Sequence, residues 1–110
     1  MVDRLARSFV SLWGFNNQKL VHIAEQVGKM VSHRVEGVPH IDSGLKSVVL
    51  SFEYTAVELS LSMDEGTVLA RKGAYVTETH RGPIWSHKVH KFREGDLQGI
   101  VDLVESPYID

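Results

Sequence analysis

The apolar residues at the start of the chain recur with the spacing of a helix. Four of them stand at i, i+4, i+7 and i+8: Leu5, Phe9, Leu12 and Trp13. This spacing predicts a short amphipathic helix over 3–13. Gly14 suits its end, because glycine readily adopts the left-handed conformation that closes many helices.

A second and stronger helical pattern follows. Asn16 and Asn17 can each cap a helix start, because a short side-chain oxygen accepts hydrogen bonds from the free backbone N–H groups there. Six apolar residues then fall on one helical face: Leu20, Ile23, Ala24, Val27, Met30 and Val31. We predict a helix over 17–34 that ends where "EGVPHIDSG" supplies two glycines and a proline.

The period changes to two in the middle of the chain, as is typical of half-buried strands. The apolar residues of "SVVLSFEY" (47–54) are even-numbered, and those of "VELSLSM" (57–63) are odd-numbered. The two inward sets are Val48, Leu50, Phe52 and Tyr54, then Val57, Leu59, Leu61 and Met63. Because a slip of one residue reverses every side chain, the chain must turn or bulge between the two sets.

The remaining pattern predicts more strands and a closing helix. "DEG" at 64–66 marks a turn before a strand over 67–72, and 74–79 is either a fourth strand or the continuation of that strand past Gly73. A last strand is predicted over 84–92. The segment "EGDLQGIVDLVE" predicts a final helix with these residues inward: Leu97, Ile100, Val101 and Val104.

This order of elements predicts an α+β fold. An antiparallel meander sheet of four to five strands packs on the long N-terminal helix, and the C-terminal helix closes the structure. A chain of 110 residues suits one domain, 1–110, in which we expect the tail 105–110 to be mobile.

Composition narrows the classes of function. The chain has no cysteine, so disulfides, thiolate zinc sites and cysteine nucleophiles are excluded, and we expect a cytoplasmic setting. The N-terminus lacks the continuous apolar run of a signal peptide, and no segment is long and apolar enough to span a membrane. We expect no membrane association.

Charge is distributed unevenly around a net value of −2. The segment 80–93 has four basic and no acidic residues, and 94–110 has no basic and five acidic residues. The basic side chains are Arg81, Lys88, Lys91 and Arg93, and Trp85 lies among them. Binding of RNA or single-stranded DNA is therefore one alternative, because such proteins combine cations with an aromatic stacking platform. The other is that the acidic tail neutralises this segment within the fold.

Metal binding and catalysis have weaker support. His87 and His90 are three residues apart, so a regular strand would place them on opposite faces, and we predict neither a metal nor a cofactor. A small enzyme that uses sheet carboxylates such as Glu53, Glu58 or Glu78 together with His80 remains an alternative. Serines alternating with glutamates are more typical of the solvent face of a sheet, so we assign no catalytic residue.

The favoured interpretation is a small non-enzymatic protein-binding module, such as an inhibitor, immunity-type, adaptor or phage-accessory protein, that forms a homodimer. The last strand has mixed polarity, as is typical of an edge strand, and edges can pair with a second copy or another protein. Its predicted binding residues are Arg81, Trp85, His87, Val89 and Lys91. The segment "VEGVPHIDSG" is predicted to project as a loop that presents Val38, His40 and Ile41.

Overall fold

The computed structural model describes residues 18–31, 35, 37–75 and 82–106. Helix α1 covers 18–31. The other elements follow in chain order: β1 (His40–Ser43), β2 (Ser47–Ser51), β3 (Thr55–Leu61), β4 (Thr67–Ala74), β5 (Ile84–Trp85), β6 (His90–Arg93) and α2 (Leu97–Glu105). The predicted α+β class is confirmed. The predicted helix 3–13 and most of the tail lie outside the described residues.

The six strands form one antiparallel sheet in the order β1-β2-β3-β4-β5, with β6 also paired to β4. The meander is therefore confirmed, with one strand before the predicted first one. Among the described elements, β1 forms one edge of the sheet, and β5 and β6 share the other.

One face of the sheet, the inner face, is covered by the helices. Val48 lies opposite Leu59 and Leu50 opposite Val57, so the two apolar sets identified in the sequence meet across β2 and β3. They form one buried cluster with residues of both helices, among them Leu20, Ile23, Val27, Val31, Ile100, Val101 and Val104. Met30 was also predicted on the apolar face of α1, but it is exposed.

The change from even to odd apolar positions is explained by a tight turn between β2 and β3. The Phe52 N–H donates to the Thr55 carbonyl at 2.7 Å, which folds the chain back so that Leu50 and Val57 both point inward. The predicted turn is confirmed. Tyr54 lies in it and is exposed, so its predicted inward position was wrong.

Helix α2 begins at a side-chain cap. The Gly99 N–H donates to the Asp96 carboxylate at 3.0 Å, which satisfies one of the free backbone groups of the first turn. Ile100, Val101 and Val104 are buried and Leu97 is half-buried, as predicted. The helix packs on β3 and β4.

The predicted projecting loop at 35–44 is wrong, because His40–Ser43 forms β1. Ile41 lies opposite Leu50 and its side chain is half-buried against the core. With one apolar residue in four, β1 has too little alternation to be seen in the sequence. Its position depends on the strand beside it.

The predicted single strand over 84–92 is also wrong. β4 continues through Gly73, and only Arg71 and Lys72 lie between its residues paired to β5 and those paired to β6. Four residues, 86–89, occupy the same interval on the other side, so the edge bulges there. The Lys88 N–H donates to the Ser86 hydroxyl at 3.1 Å, a local bond that replaces regular pairing.

Substitution of Leu59 tests the inner face. Leu59 is completely buried between Val48 and Ala70. Leu59→Ala should lower the free energy of unfolding by about 2 to 5 kcal/mol, because it removes buried methyl groups and leaves a cavity. Urea denaturation measures this loss. Met63 was predicted to point inward, but it is fully exposed, so that prediction was wrong. Met63→Ala is therefore the control, and it should change stability by less than about 0.5 kcal/mol. Equal effects of the two substitutions would contradict this face assignment.

Candidate functional site

The face of the sheet opposite the helices, the outer face, carries a row of interacting polar and aromatic side chains. Glu58 lies opposite Arg71, and the Arg71 Nη2 donates to the Glu58 carboxylate at 3.0 Å. The Arg71 guanidinium carbon lies 5.3 Å from the centroid of a Trp85 ring. This is the distance of a cation–π interaction. Arg71 is therefore held between a carboxylate and an indole ring.

Trp85 occupies space that a glycine provides. Gly73 lies opposite Trp85, and a Cβ atom at Gly73 would be 2.8 Å from Trp85 Cε3 and 3.0 Å from Cζ3. Such distances are shorter than normal van der Waals contacts, so the ring fits because residue 73 has no side chain. Trp85 is half-buried and does not belong to the core cluster. A glycine inside a strand pattern was the sequence signal for this close approach.

Two tyrosines extend the aromatic surface. The Tyr75 N–H donates to the Tyr54 carbonyl at 3.0 Å, one position beyond the pair formed by Thr55 and Ala74. Alternation along β4 puts Tyr75 on the same face as Arg71 and Gly73. We call Trp85, Arg71, Tyr54 and Tyr75 the Trp85 patch. Large aromatic residues and arginine are thus concentrated at one end of the outer face.

The other residues predicted on the last strand have different environments. Lys91 shares the outer face with Trp85, and its ammonium forms an ion pair with the Asp64 carboxylate. This hydrogen bond and the positive charge of Lys91 lower the pKa of Asp64. His87 and Val89 lie exposed in the bulge. Arg81 lies outside the described residues.

The structure separates the two groups of predicted binding residues. Val38, His40 and Ile41 lie at or beside β1, and Trp85 is in β5, at the opposite edge. Four strand spacings of about 4.8 Å put the edges about 19 Å apart. The sequence therefore indicated two surfaces rather than one.

Two residues of the basic segment interact with side chains outside that segment. Lys91 is paired with Asp64 in the turn between β3 and β4, so an acid outside the C-terminal tail neutralises it. Trp85 is covered on one side by Arg71. Nucleic-acid binding through 80–93 stays an alternative prediction.

The residues of the catalytic alternative are dispersed. Glu58 is engaged by Arg71, and Glu53 is exposed in the turn after β2. Glu78 and His80 lie outside the described part of the chain. Of these four residues, the structure therefore describes only Glu53 and Glu58, and Glu58 is already bonded to Arg71.

A cleft of about 270 Å³ lies between α2 and the β4–β6 edge. Its lining includes Lys72, Ser86, His90, Phe92, Asp102 and Ser106. Lys72 is buried on the inner face, and its ammonium donates to the Ser106 carbonyl just after α2. A cation at the C-terminal end of a helix donates a hydrogen bond to a free carbonyl and interacts favourably with the negative end of the helix dipole. The sequence analysis missed this lysine, because it looked like a solvent-facing residue of an ordinary strand.

Comparison of the chain with protein-family models, with curated proteins and with solved structures finds no match. Within the ranges that the structure describes, no group of three or more histidine, aspartate or glutamate side chains is placed to hold a metal ion. No helix in those ranges has the length and apolar character needed to cross a bilayer.

Substitution of Gly73 tests whether the Trp85 ring packs on this glycine. Gly73→Ala should lower the free energy of unfolding by about 1 to 3 kcal/mol, because the new methyl group meets the indole ring. The loss should be clearly smaller in a Trp85→Ala background. Thermal and urea unfolding of the original chain, the two single variants and the double variant give the coupling free energy between residues 73 and 85. Gly95→Ala is the control, because a Cβ there meets nothing within 4 Å. A Gly73→Ala loss that is independent of Trp85 would contradict the contact.

The pH dependence of stability tests Lys72. Burial lowers the pKa of Lys72 below the usual lysine value of 10.5. Between the folded and unfolded pKa values the unfolded chain binds more protons, so the free energy of unfolding should rise with pH in that alkaline range. Lys72→Met should flatten the rise in urea denaturation series, and Lys46→Met, at an exposed residue, should leave it unchanged. If the free energy of unfolding of Lys72→Met still rises with pH in this range, another group causes the rise.

Proposed function

We propose that this protein is a non-enzymatic binding module that recognises another protein through the Trp85 patch. The observation that supports the proposal most strongly is the position of Trp85. Its ring lies on the outer face, outside the core cluster, and is held by Gly73 and Arg71. A large aromatic side chain is thus ordered at the surface without contributing to the main core.

Such an arrangement suits recognition for an energetic reason. Binding usually costs free energy because side chains lose rotamer freedom at the interface. The contacts of Trp85 with Gly73 and Arg71 restrict the ring before a partner arrives, which reduces that cost. Trp, Tyr and Arg are also the residues most enriched at binding hot spots, and the patch contains all three.

An exposed apolar residue of the bulge enlarges the proposed surface. Val89 is 51% exposed. His87, two residues before it in the bulge, is exposed as well. A partner that covers Trp85 would remove part of this apolar surface from water, which favours association.

The proposed biological class is a small cytoplasmic inhibitor, immunity-type, adaptor or phage-accessory protein that also self-associates. The class is supported by the short chain and by the lack of a catalytic motif, and the cytoplasmic setting by the lack of cysteine.

Trp85→Ala tests the proposed function. The fold should lose at most about 2 kcal/mol, because a half-buried ring contributes less than a buried one. Affinity for the protein that copurifies from the native host should fall by about 2 kcal/mol or more, as for interface anchors. Thermal melting and titration of the recovered partner measure the two effects.

Met63→Ala is the matched control, since it truncates an exposed apolar residue in the turn between β3 and β4, away from the patch. It should change neither quantity. Unchanged partner affinity in Trp85→Ala, combined with a stability loss of about 3 to 5 kcal/mol, would show that Trp85 is structural. Recovery of RNA or DNA in place of a protein, with an affinity that falls steeply with salt, would favour the nucleic-acid alternative.

A further inference from the structure

The β1 edge offers backbone groups that no described strand pairs with. The Gly44 N–H donates to the Ser47 carbonyl at 2.8 Å, and hydrogen-bonded pairs alternate along antiparallel strands. Asp42 and His40 therefore bond to Val49 and Ser51 in β2. The N–H and C=O groups of Ile41 and Ser43 consequently point away from the sheet.

The opposite edge is less suited to pairing. The bulge at 86–89 separates β5 from β6, and the Arg93 carbonyl at the end of β6 already accepts the Asp96 N–H at 2.9 Å. Bulges and short strands are devices that protect sheet edges. β1 has no bulge and no lysine within it. Between the two edges, β1 is the one open to a further strand.

The side chains around β1 indicate which kind of strand would pair with it. His40 and Asp42 lie on the outer face, with His40 Nε2 and Asp42 Oδ1 at 3.2 Å. Val38, before the strand, is 85% exposed, and Leu45, after it, is 71% exposed. In an antiparallel pair of β1 strands, the start of one strand lies beside the end of the other. Val38 of each copy is therefore brought toward Leu45 of the other copy, and His40 of each toward Asp42 of the other.

Charge distinguishes two of the registers in which edge-facing residues of the two copies lie opposite each other. With Ile41 opposite Ser43 of the second copy, the two Asp42 carboxylates face each other, and like charges directly opposite are destabilising. With Ile41 opposite Ile41, His40 of each copy faces Asp42 of the other. In the second register, two attractive contacts between His40 and Asp42 replace the repulsion between the two Asp42 carboxylates.

We propose that the protein forms a two-fold homodimer in which β1 pairs antiparallel with β1 of a second copy, centred on Ile41. The Ile41 N–H of each copy donates to the Ile41 carbonyl of the other, and each Ser43 N–H donates to the other's Pro39 carbonyl. Pro39 has no N–H to donate, so regular pairing ends there. Val38 then lies opposite Gly44 and next to Leu45 of the second copy.

This assignment deepens the proposed self-association and rests on it, but it uses a surface different from the Trp85 patch. The two can therefore fail separately. Trp85→Ala should leave the dimer unchanged, and variants of His40 and Asp42 should leave binding at the Trp85 patch unchanged.

Charge variants test the register through the dimer constant in sedimentation equilibrium. An acidic variant, His40→Glu, places like charges opposite each other in the dimer, and so does a basic variant, His40→Lys with Asp42→Lys. Each alone should dimerise about tenfold or more weakly than the original chain. A mixture of the two should associate again, since the lysines of one then face the acids of the other. Both residues are exposed, and thermal melting checks that the variants fold.

Disulfide trapping gives a second readout, because the chain has no cysteine of its own. Residues 40 and 42 of the two copies would form a non-hydrogen-bonded pair with Cα atoms about 4.5 Å apart, within disulfide reach. A His40→Cys chain mixed with an Asp42→Cys chain should give a mixed disulfide on mild oxidation, faster than either chain alone.

Three results would overturn the proposal. One is a monomer at all concentrations up to about millimolar, where even weak edge pairing would be visible. Another is rapid disulfide formation by the Asp42→Cys chain alone, which would place Asp42 at the centre of the interface. The third is a dimer lost in Trp85→Ala but retained in both charge variants, which would move self-association to the Trp85 patch.

Discussion

Burial of the apolar residues that β2, β3 and β4 place on one face is the constraint on which the other features depend. Val48, Leu50, Val57 and Leu59 are completely buried there against the helices. Since side chains alternate along a strand, burial of these residues also decides what faces the other way. The positions of Glu58 and Arg71 on the outer face follow from the burial of their neighbours.

Neighbouring cations on β4 illustrate this division. Arg71 points outward, where its guanidinium bonds to Glu58 and lies over Trp85. Lys72 points inward, where it bonds to the carbonyl of Ser106 at the end of α2. Arg71 and Lys72 are adjacent in the sequence. Arg71 nevertheless places its charge at the Trp85 patch, whereas Lys72 places its charge against the end of a helix. Their different roles come from the two faces rather than from the residue types.

The two sheet edges differ for equally local reasons. The ladder beside β4 is broken by two additional residues and by a local hydrogen bond in which the Lys88 N–H donates to the Ser86 hydroxyl. β1 keeps regular pairing with β2 along its four residues. The edge at β5 and β6 is therefore irregular but carries an ordered tryptophan. The edge at β1 has backbone groups that no described strand pairs with, and a histidine and an aspartate lie beside them. These differences are the basis for proposing partner recognition at one edge and self-association at the other.

Periodicity in the sequence determined the α+β class, most of the buried face of α1, most of the inward residues of β2 and β3, and the closing helix. These elements bury a repeating set of apolar residues, and that repetition is visible without a structure. β1, the bulge at 86–89, the seat of Trp85 on Gly73 and the role of Lys72 were decided only by the tertiary structure. Each depends on a neighbour distant in sequence: Leu50 beside Ile41, Gly73 beneath Trp85, and Ser106 beside Lys72. A linear pattern records what a residue is and how often its type recurs, but such contacts arise only when the chain brings distant segments together.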